Sequence, residues 1–159
     1  MTMPTDNQAL ARRRTLGWGL RCDPVFPGVD IGRDLRLRRG PDGLDLATVE
    51  GVDCLTQDLS LALITLLGSD VLNTTFGFDG LAALADETTP VLVQERIRVA
   101  VVAVLGRDPR VRRIVDVKFE DARLDVPQPG SREIGVRVAF ETLTDDRVTI
   151  DLGRTAGVA

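Results

Sequence analysis

The segment from Pro90 to Glu120 reads PVLVQERIRVAVVAVLGRDPRVRRIVDVKFE and carries the strongest structural signals in the chain. Thr89, just before it, is a residue type that caps helices, and Pro90 suits the first helical turn, where its missing N–H is no loss. Gly106 and Pro109 are residue types that end helices. Valine lowers helix propensity, so the run VAVVAVL also allows a buried strand in the second half. The length of the segment and its two end signals favour a helix, which a sharp corner follows.

The corner is the tripeptide Asp108-Pro109-Arg110, and beyond it the apolar residues recur at alternate positions, as in a strand with one buried face. The pattern places four residues on that face: Val111, Val115, Val117 and Phe119. Two further segments alternate in the same way, at residues 134–140 and 148–152. A Pro- and Gly-rich loop and a tight turn separate the three segments. They predict an antiparallel meander whose apolar face is covered by helices.

Upstream, a first main helix is predicted from a cap at Asp53 to an end at Gly68, with a short helical piece from Phe78 to Ala85. Before it, alternating leucines flank the turn sequence GPDG and predict a hairpin over residues 35–46. The predicted fold is α+β: two main helices and a short one packed on a small antiparallel C-terminal sheet, preceded by a hairpin and an N-terminal arm. The apolar stripe of the first helix consists of Leu55, Leu59, Ala62, Leu63 and Leu66.

The arm comprises residues 1–33, and residues 34–159 are predicted to form a single domain. The arm is polar, is punctuated by Pro and Gly, and contains the only tryptophan, Trp18. We expect order in it only where Trp18 or Phe26 docks on this chain or on a partner.

The sequence offers little catalytic chemistry. It has no histidine, which removes the commonest general base and zinc ligand, and Cys22 and Cys54 alone cannot form a zinc site. Acidic pairs such as Asp145-Asp146 lie in predicted turns or at helix starts, where acidic residues are common for backbone reasons. A glycosidase needs two carboxylates that face each other across a cleft, and the spacing of the acids along the sequence does not indicate one. We therefore predict a protein that is not an enzyme and needs no cofactor or metal; a hydrolase using a carboxylate pair is the alternative.

The net charge of −4 argues against a broad nucleic-acid surface, although arginine clusters at residues 12–14 and 107–113 leave a local nucleic-acid surface as a second alternative.

The sequence shows no apolar signal core and no apolar stretch long enough to span a membrane. We expect a soluble cytoplasmic protein.

The Asp108-Pro109-Arg110 corner has two interpretations. In one, Pro109 stops the helix, Asp108 takes a turn position and Arg110 is a solvated start of the strand. In the other, Arg110 pairs with acids of a neighbouring subunit or holds the joint between helix and sheet, and Arg112 and Arg113 add to a positive field.

A helix followed by acid-Pro-Arg and an alternating strand resembles the gene-25-like baseplate wedge proteins of contractile tails, a family that includes TssE-like subunits of type VI secretion systems. The family hallmark is Glu-Pro-Arg, and here Asp108 replaces the glutamate. The segment VEGVDCLTQDLSLALITLLGSD resembles the family's first helix, with Gln57 at the usual glutamine. NTTFGFDGLAAL resembles its aromatic–glycine segment, with Phe76 at the usual tyrosine. The resemblance covers roughly residues 44–152.

The resemblance implies a structural subunit present in six copies around the inner tube of a phage-tail-like contractile particle, which can be released by lysis. The implied partners are baseplate wedge proteins, tube or hub proteins, and the sheath subunit, whose first ring it would template by sharing strands. Ten residues are predicted to lie at such interfaces: Asp108, Pro109, Arg110, Arg112, Arg113, Trp18, Phe26, Val148, Ile150 and Leu152.

Overall fold

The computed structural model describes residues 6–26, 29–80, 89–121 and 134–152, and within them the chain is an α+β protein. The helices are α1 (Asp6–Leu16), α2 (Gly51–Ile64) and α3 (Pro90–Arg107). The strands are β1 (Trp18–Leu20), β2 (Cys22–Phe26), β3 (Val29–Leu35), β4 (Leu37–Gly40), β5 (Gly43–Leu46), β6 (Thr48–Glu50), β7 (Val111–Asp121), β8 (Ile134–Thr142) and β9 (Arg147–Leu152). None of the described helices combines the length and apolar character that a membrane crossing requires.

The C-terminal meander is confirmed as an antiparallel sheet in the order β7-β8-β9. Two irregularities in the β7–β8 pairing, between Val111 and Arg113 and between Ile114 and Asp116, shift which residues face the core. Ile114 packs against the core, whereas Val115 is exposed. The prediction that Val115 lies on the apolar face is therefore wrong, because each extra residue in a bulge reverses the alternation.

One core joins the sheet to the helices. Its buried residues come from α2, α3 and all three strands of the meander, and the fully buried ones include Leu55, Leu105, Val138 and Phe140. Leu16, the last residue of α1, lies in the same core. Burying a large apolar side chain contributes about 1.5–3 kcal/mol, so this core is the main stabilising element of the fold.

The N-terminal half contains three two-stranded antiparallel ribbons, β1–β6, β2–β3 and β4–β5. They meet at a junction where backbone hydrogen bonds of 2.8 Å join Arg21, Arg36 and Ala47 to one another. The predicted hairpin is the β4–β5 ribbon, in which Gly40 pairs with Gly43 across the expected turn.

The predicted bounds of the first main helix need correction. Helix α2 begins at Gly51, so Asp53 lies in its first turn rather than at the cap. It ends at Ile64 rather than near Gly68, because Leu66 leaves the helix to form a parallel bridge with Phe78.

The other two predicted helices have different outcomes. Helix α3 confirms the prediction from Pro90 onward and extends beyond Leu105 to Arg107. The short helix predicted to begin at Phe78 is wrong at residues 78–80, which are not helical, and residues 81–85 lie outside the described residues.

Helix α1 was not predicted, because its sequence DNQALARRRTL has no apolar stripe at helical spacing.

The N-terminal arm was expected to be ordered only where Trp18 or Phe26 docks. Instead Leu16 is fully buried, while Trp18 is 59% exposed and the side chain of Phe26 lies outside the described part of the structure. The division into an arm and a domain stays a prediction.

Candidate functional site at the helix–strand corner

The corner forms because Pro109 cannot continue helix α3. The N–H of Asp108 makes the last helical contact, a 3.2 Å hydrogen bond to the carbonyl of Leu105. The carbonyl of Asp108 then accepts a 3.1 Å hydrogen bond from the N–H of Val111, which closes a tight turn. The turn brings the side chains of Asp108 and Arg110 side by side at the start of β7.

The guanidinium of Arg110 binds the carboxylate of Asp108 with two parallel hydrogen bonds. Nε donates to Oδ1 at 2.9 Å and Nη2 donates to Oδ2 at 2.7 Å, while the backbone N–H of Arg110 also donates to Oδ1 at 2.9 Å. Bidentate arginine–carboxylate pairs are among the stronger polar contacts in proteins. Asp108 therefore holds Arg110 in one orientation.

The remaining nitrogen of Arg110 reaches two other elements. Nη1 donates to the carbonyl of Leu16 at 3.0 Å and to Oδ2 of Asp58 at 2.9 Å. One guanidinium thus joins the end of α1, the middle of α2 and the α3–β7 corner. Its side chain is only 23% exposed. The interpretation of Arg110 as a solvated start of the strand is wrong, because its guanidinium is largely covered and bound by three elements.

The electrostatics of the corner follow from this geometry. Burial alone would raise the pKa of Asp108, but the hydrogen bonds from the side chain and backbone of Arg110 outweigh it and hold that pKa below its usual value. The same side-chain bond raises the pKa of Arg110, against the opposing effect of burial, and Asp58 adds to the increase. Both groups are charged at neutral pH.

Cys54 lies one helical turn before Asp58 on α2 and completes the polar cluster. Its Sγ is 3.7 Å from Oδ2 of Asp58, and the residue is almost fully buried. Burial, followed by the negative charge of Asp58, raises the pKa of the Cys54 thiol to about 11. Because the thiolate is the reactive form, Cys54 is an inert packing residue at neutral pH.

A second contact ties α1 to the meander. Arg12 forms a bidentate pair with Asp146 in the β8–β9 turn, with Nε 3.0 Å from Oδ2. The same turn is held to the corner by a 3.0 Å hydrogen bond from the N–H of Leu143 to the carbonyl of Arg110. The corner, α1 and the β8–β9 turn therefore form one connected unit.

A groove of about 490 Å³ opens beside the corner. One wall is formed by α2 residues between Asp58 and Ala62, and a second by residues 73–77. The end of α3 and the Asp108-Pro109-Arg110 corner complete the lining.

Gly77 shapes the second wall of this groove. Its φ is +114°, and a Cβ there would lie 2.7 Å from the carbonyl oxygen of Thr65, so only glycine fits. The glycine of the NTTFG segment therefore lets the chain pass close to the end of α2.

A scan of the sequence against protein-family models and a search of curated proteins both give no match. The described residues contain no group of three or more Cys, Asp or Glu side chains that could hold a metal ion.

Two further predicted interface residues, Arg112 and Arg113, lie on the rim of the sheet. Both are exposed, and they pair with Asp145 and Glu141, respectively. In the second pair Nη2 of the arginine lies 2.8 Å from Oε1, and this interaction is the main reason that the pKa of Glu141 is lowered. The structure thus brings Asp108, Pro109 and Arg110 together and leaves Arg112 and Arg113 outside that cluster.

Trp18 lies at the start of β1, away from the corner. It is opposite Glu50 in the β1–β6 pairing, and the guanidinium of Arg13 is 5.9 Å from its ring centre. Its exposed ring is available for a contact, but whether it meets a partner stays a prediction.

The predicted interface residues of β9 are placed differently. Val148 and Ile150 are buried in the core, so their side chains cannot contact a partner at β9. The side chain of Leu152 is outside the described residues. A partner contact at β9 stays a prediction.

Sequence reasoning missed the residues that complete the corner. Asp58 and Leu16 are 52 and 94 positions away from Arg110, and no local pattern marks them as its partners. They become its partners only when α1 and α2 pack against the end of α3.

Gln57 was singled out by the resemblance alone. The structure shows its amide joining the ribbon junction to α2. Its Oε1 accepts from the N–H of Cys22 and its Nε2 donates to the carbonyl of Leu20, both at 2.8 Å. Gln57 therefore has a structural role within the chain.

Proposed function

We propose that this protein is a structural subunit of a contractile-injection or phage-tail-like baseplate, similar to the gene-25-like wedge proteins. The observation that carries the proposal is the Asp108-Pro109-Arg110 tripeptide at a joint between an apolar helix and an antiparallel meander. The α2 segment and the NTTFG segment precede it in the order that the resemblance describes. Parts of all three segments line one groove.

The chemistry of the corner supports a structural role over hydrolysis. A carboxylate-pair glycosidase needs one acid with a raised pKa that can protonate a leaving group. The pKa of Asp108 is lowered instead, and Asp58 binds the same guanidinium. Such an arrangement suits a fixed joint better than proton transfer.

The arginines also argue against a nucleic-acid partner. Paired guanidiniums release few counterions on binding phosphates, so arginines that already bind acids contribute little to a nucleic-acid surface. Within the described residues, acids of the same chain pair with Arg12, Arg13, Arg110, Arg112 and Arg113.

The meander offers one edge suited to strand addition. Strand β7 is interrupted by two bulges, and Arg98 donates a 3.0 Å hydrogen bond to the carbonyl of Val117. Strand β9 pairs with β8 without a register shift, and within the described residues β8 is its only strand partner. Regular edges accept further strands, whereas bulges obstruct them, so β9 is the edge that we assign to the sheath strand.

The experiment is complementation of a gene deletion in the source organism, with particles examined by electron microscopy. Thr149→Lys adds a charge on the exposed side of β9, which discourages edge pairing, while Thr48→Lys adds the same charge at an exposed position of β6 as a control. We expect the deletion to abolish sheathed particles. Thr48→Lys should restore them, whereas Thr149→Lys should give baseplates without an extended sheath.

Normal sheathed particles from the deletion strain would overturn the proposed function itself. Equal numbers of sheathed particles from Thr149→Lys and Thr48→Lys would overturn only the assignment of β9 as the shared edge. Thermal unfolding of both purified variants checks that neither substitution acts by unfolding the chain.

A further inference from the structure

The β4–β5 ribbon has two chemically different faces, which its register defines. Cross-strand partners share a face, and side chains alternate along each strand. Arg38 pairs with Asp45 on one face, where their charged groups are 3.8 Å apart. The other face, called the leucine face below, consists of two cross-strand pairs: Leu37 with Leu46, and Arg39 with Leu44.

The leucine face is open to solvent. Leu37 is 56% exposed and Leu44 is 64% exposed, while Leu46 is partly buried. Single exposed leucines are ordinary, but here three leucines share one side of a short ribbon. A two-stranded ribbon is also only marginally stable unless another element covers it.

The charge on this face limits the kind of surface that would fit it. Arg39 stands opposite Leu44 rather than an acid, whereas Arg38 has Asp45 directly across the ribbon. A cation among leucines is best matched by an apolar surface that brings a carboxylate of its own.

We propose that the leucine face of the β4–β5 ribbon docks a different protein through an apolar surface that carries a carboxylate opposite Arg39. A second copy of this chain is disfavoured, because two such faces packed together would bring two arginines and no acid into one apolar interface. The inference goes beyond the proposed function and involves neither the corner nor strand β9.

The experiment is site-specific photo-cross-linking in source cells that express the full chain. A photo-reactive amino acid replaces Leu44 on the leucine face or, as the matched control, its neighbour Asp45 on the opposite face. We expect the Leu44 position alone to cross-link to one other protein, within a segment of apolar residues that contains an Asp or Glu. Arg39→Glu should lower that yield at least about tenfold, and replacing the partner's acid with arginine should restore it.

Equal yields from both positions, no cross-link from either, or a yield unaffected by Arg39→Glu would overturn the proposal. Sedimentation of the purified protein tests the second copy: concentration-dependent association that Leu44→Ser abolishes would also overturn it. Unchanged thermal unfolding of Arg39→Glu would show that its effect on the yield is not a loss of folding.

Discussion

The α3–β7 corner and the β4–β5 ribbon use arginine in opposite ways. At the corner, Arg110 is largely buried and binds Asp108, Asp58 and the carbonyl of Leu16. On the ribbon, Arg39 is exposed beside leucines and faces no acid across the strands. Surroundings, rather than residue type, therefore decide whether an arginine holds its own chain together or stays exposed to solvent.

The largest effect is expected from Arg110→Ala. Removing the guanidinium leaves Asp108 partly buried without its partner and removes the hydrogen bonds that join α1 and α2 to the corner. We expect a loss of about 2–3 kcal/mol in the free energy of unfolding, or roughly 5–10 °C in melting temperature. Arg113→Ala is the control, because Arg113 is exposed and pairs with a single acid. Equal losses in the two variants would show that the corner is no stronger than an exposed ion pair.

The second-largest effect is expected from acid, which should weaken the pair between Asp108 and Arg110. The pKa of Asp108 is lower in the folded chain than in the unfolded chain, so its stabilising effect is complete above the unfolded-state value and is lost as pH falls through the folded-state value. Asp108→Asn should cost about 1–2 kcal/mol at pH 7, and the difference from wild type should shrink below about pH 4. Denaturant unfolding between pH 7 and pH 3 measures the difference. Growth of the difference on acidification would mean that the carboxylate does not stabilise the corner.

The pair between α1 and the β8–β9 turn should have a smaller effect. Arg12→Ala breaks a bidentate, partly buried pair with Asp146, and we expect a loss of about 1 kcal/mol. Arg38→Ala breaks the exposed pair with Asp45 on the ribbon and should change stability by less than about 0.5 kcal/mol. Chemical denaturation of both variants tests the contrast, and a larger loss for Arg38→Ala would reverse it.

The smallest effect is expected from Leu44→Ser on the ribbon. Leu44 is largely exposed in the isolated chain, so the melting temperature should change by less than about 2 °C. Differential scanning calorimetry measures this change. A large loss would show that the leucine face already packs within the chain and is not available to a partner.

The parts of the fold that follow from local patterns could be predicted from the sequence. Pro90 and Pro109 bracket α3, the GPDG turn sets the β4–β5 hairpin, and alternating valines mark β8. Helix α1 could not be predicted in this way, because its only fully buried described side chain is Leu16 and its stability depends on docking. The exposure of Val115 depends on bulges that arise only when β7 pairs with β8.

Only the part of the candidate site that is local in sequence could be predicted. Asp108, Pro109 and Arg110 are adjacent in the sequence, and their residue types indicate a corner. Asp58 and Leu16 meet Arg110 only after the helices pack, and no local pattern distinguishes Asp58 from the other acids of the chain. Local sequence signals therefore predict the turn, while tertiary packing determines which residues bind Arg110.

Whether Arg110 braces its own chain can be measured by hydrogen exchange of the α1 amides in Arg110→Gln and Arg113→Gln. Because Arg110 donates to the carbonyl of Leu16, we expect α1 to lose at least about tenfold more protection than α3 in Arg110→Gln. Arg113→Gln should leave both helices unchanged. Unaltered protection of α1 relative to α3 in Arg110→Gln would show that this guanidinium does not hold α1 in place.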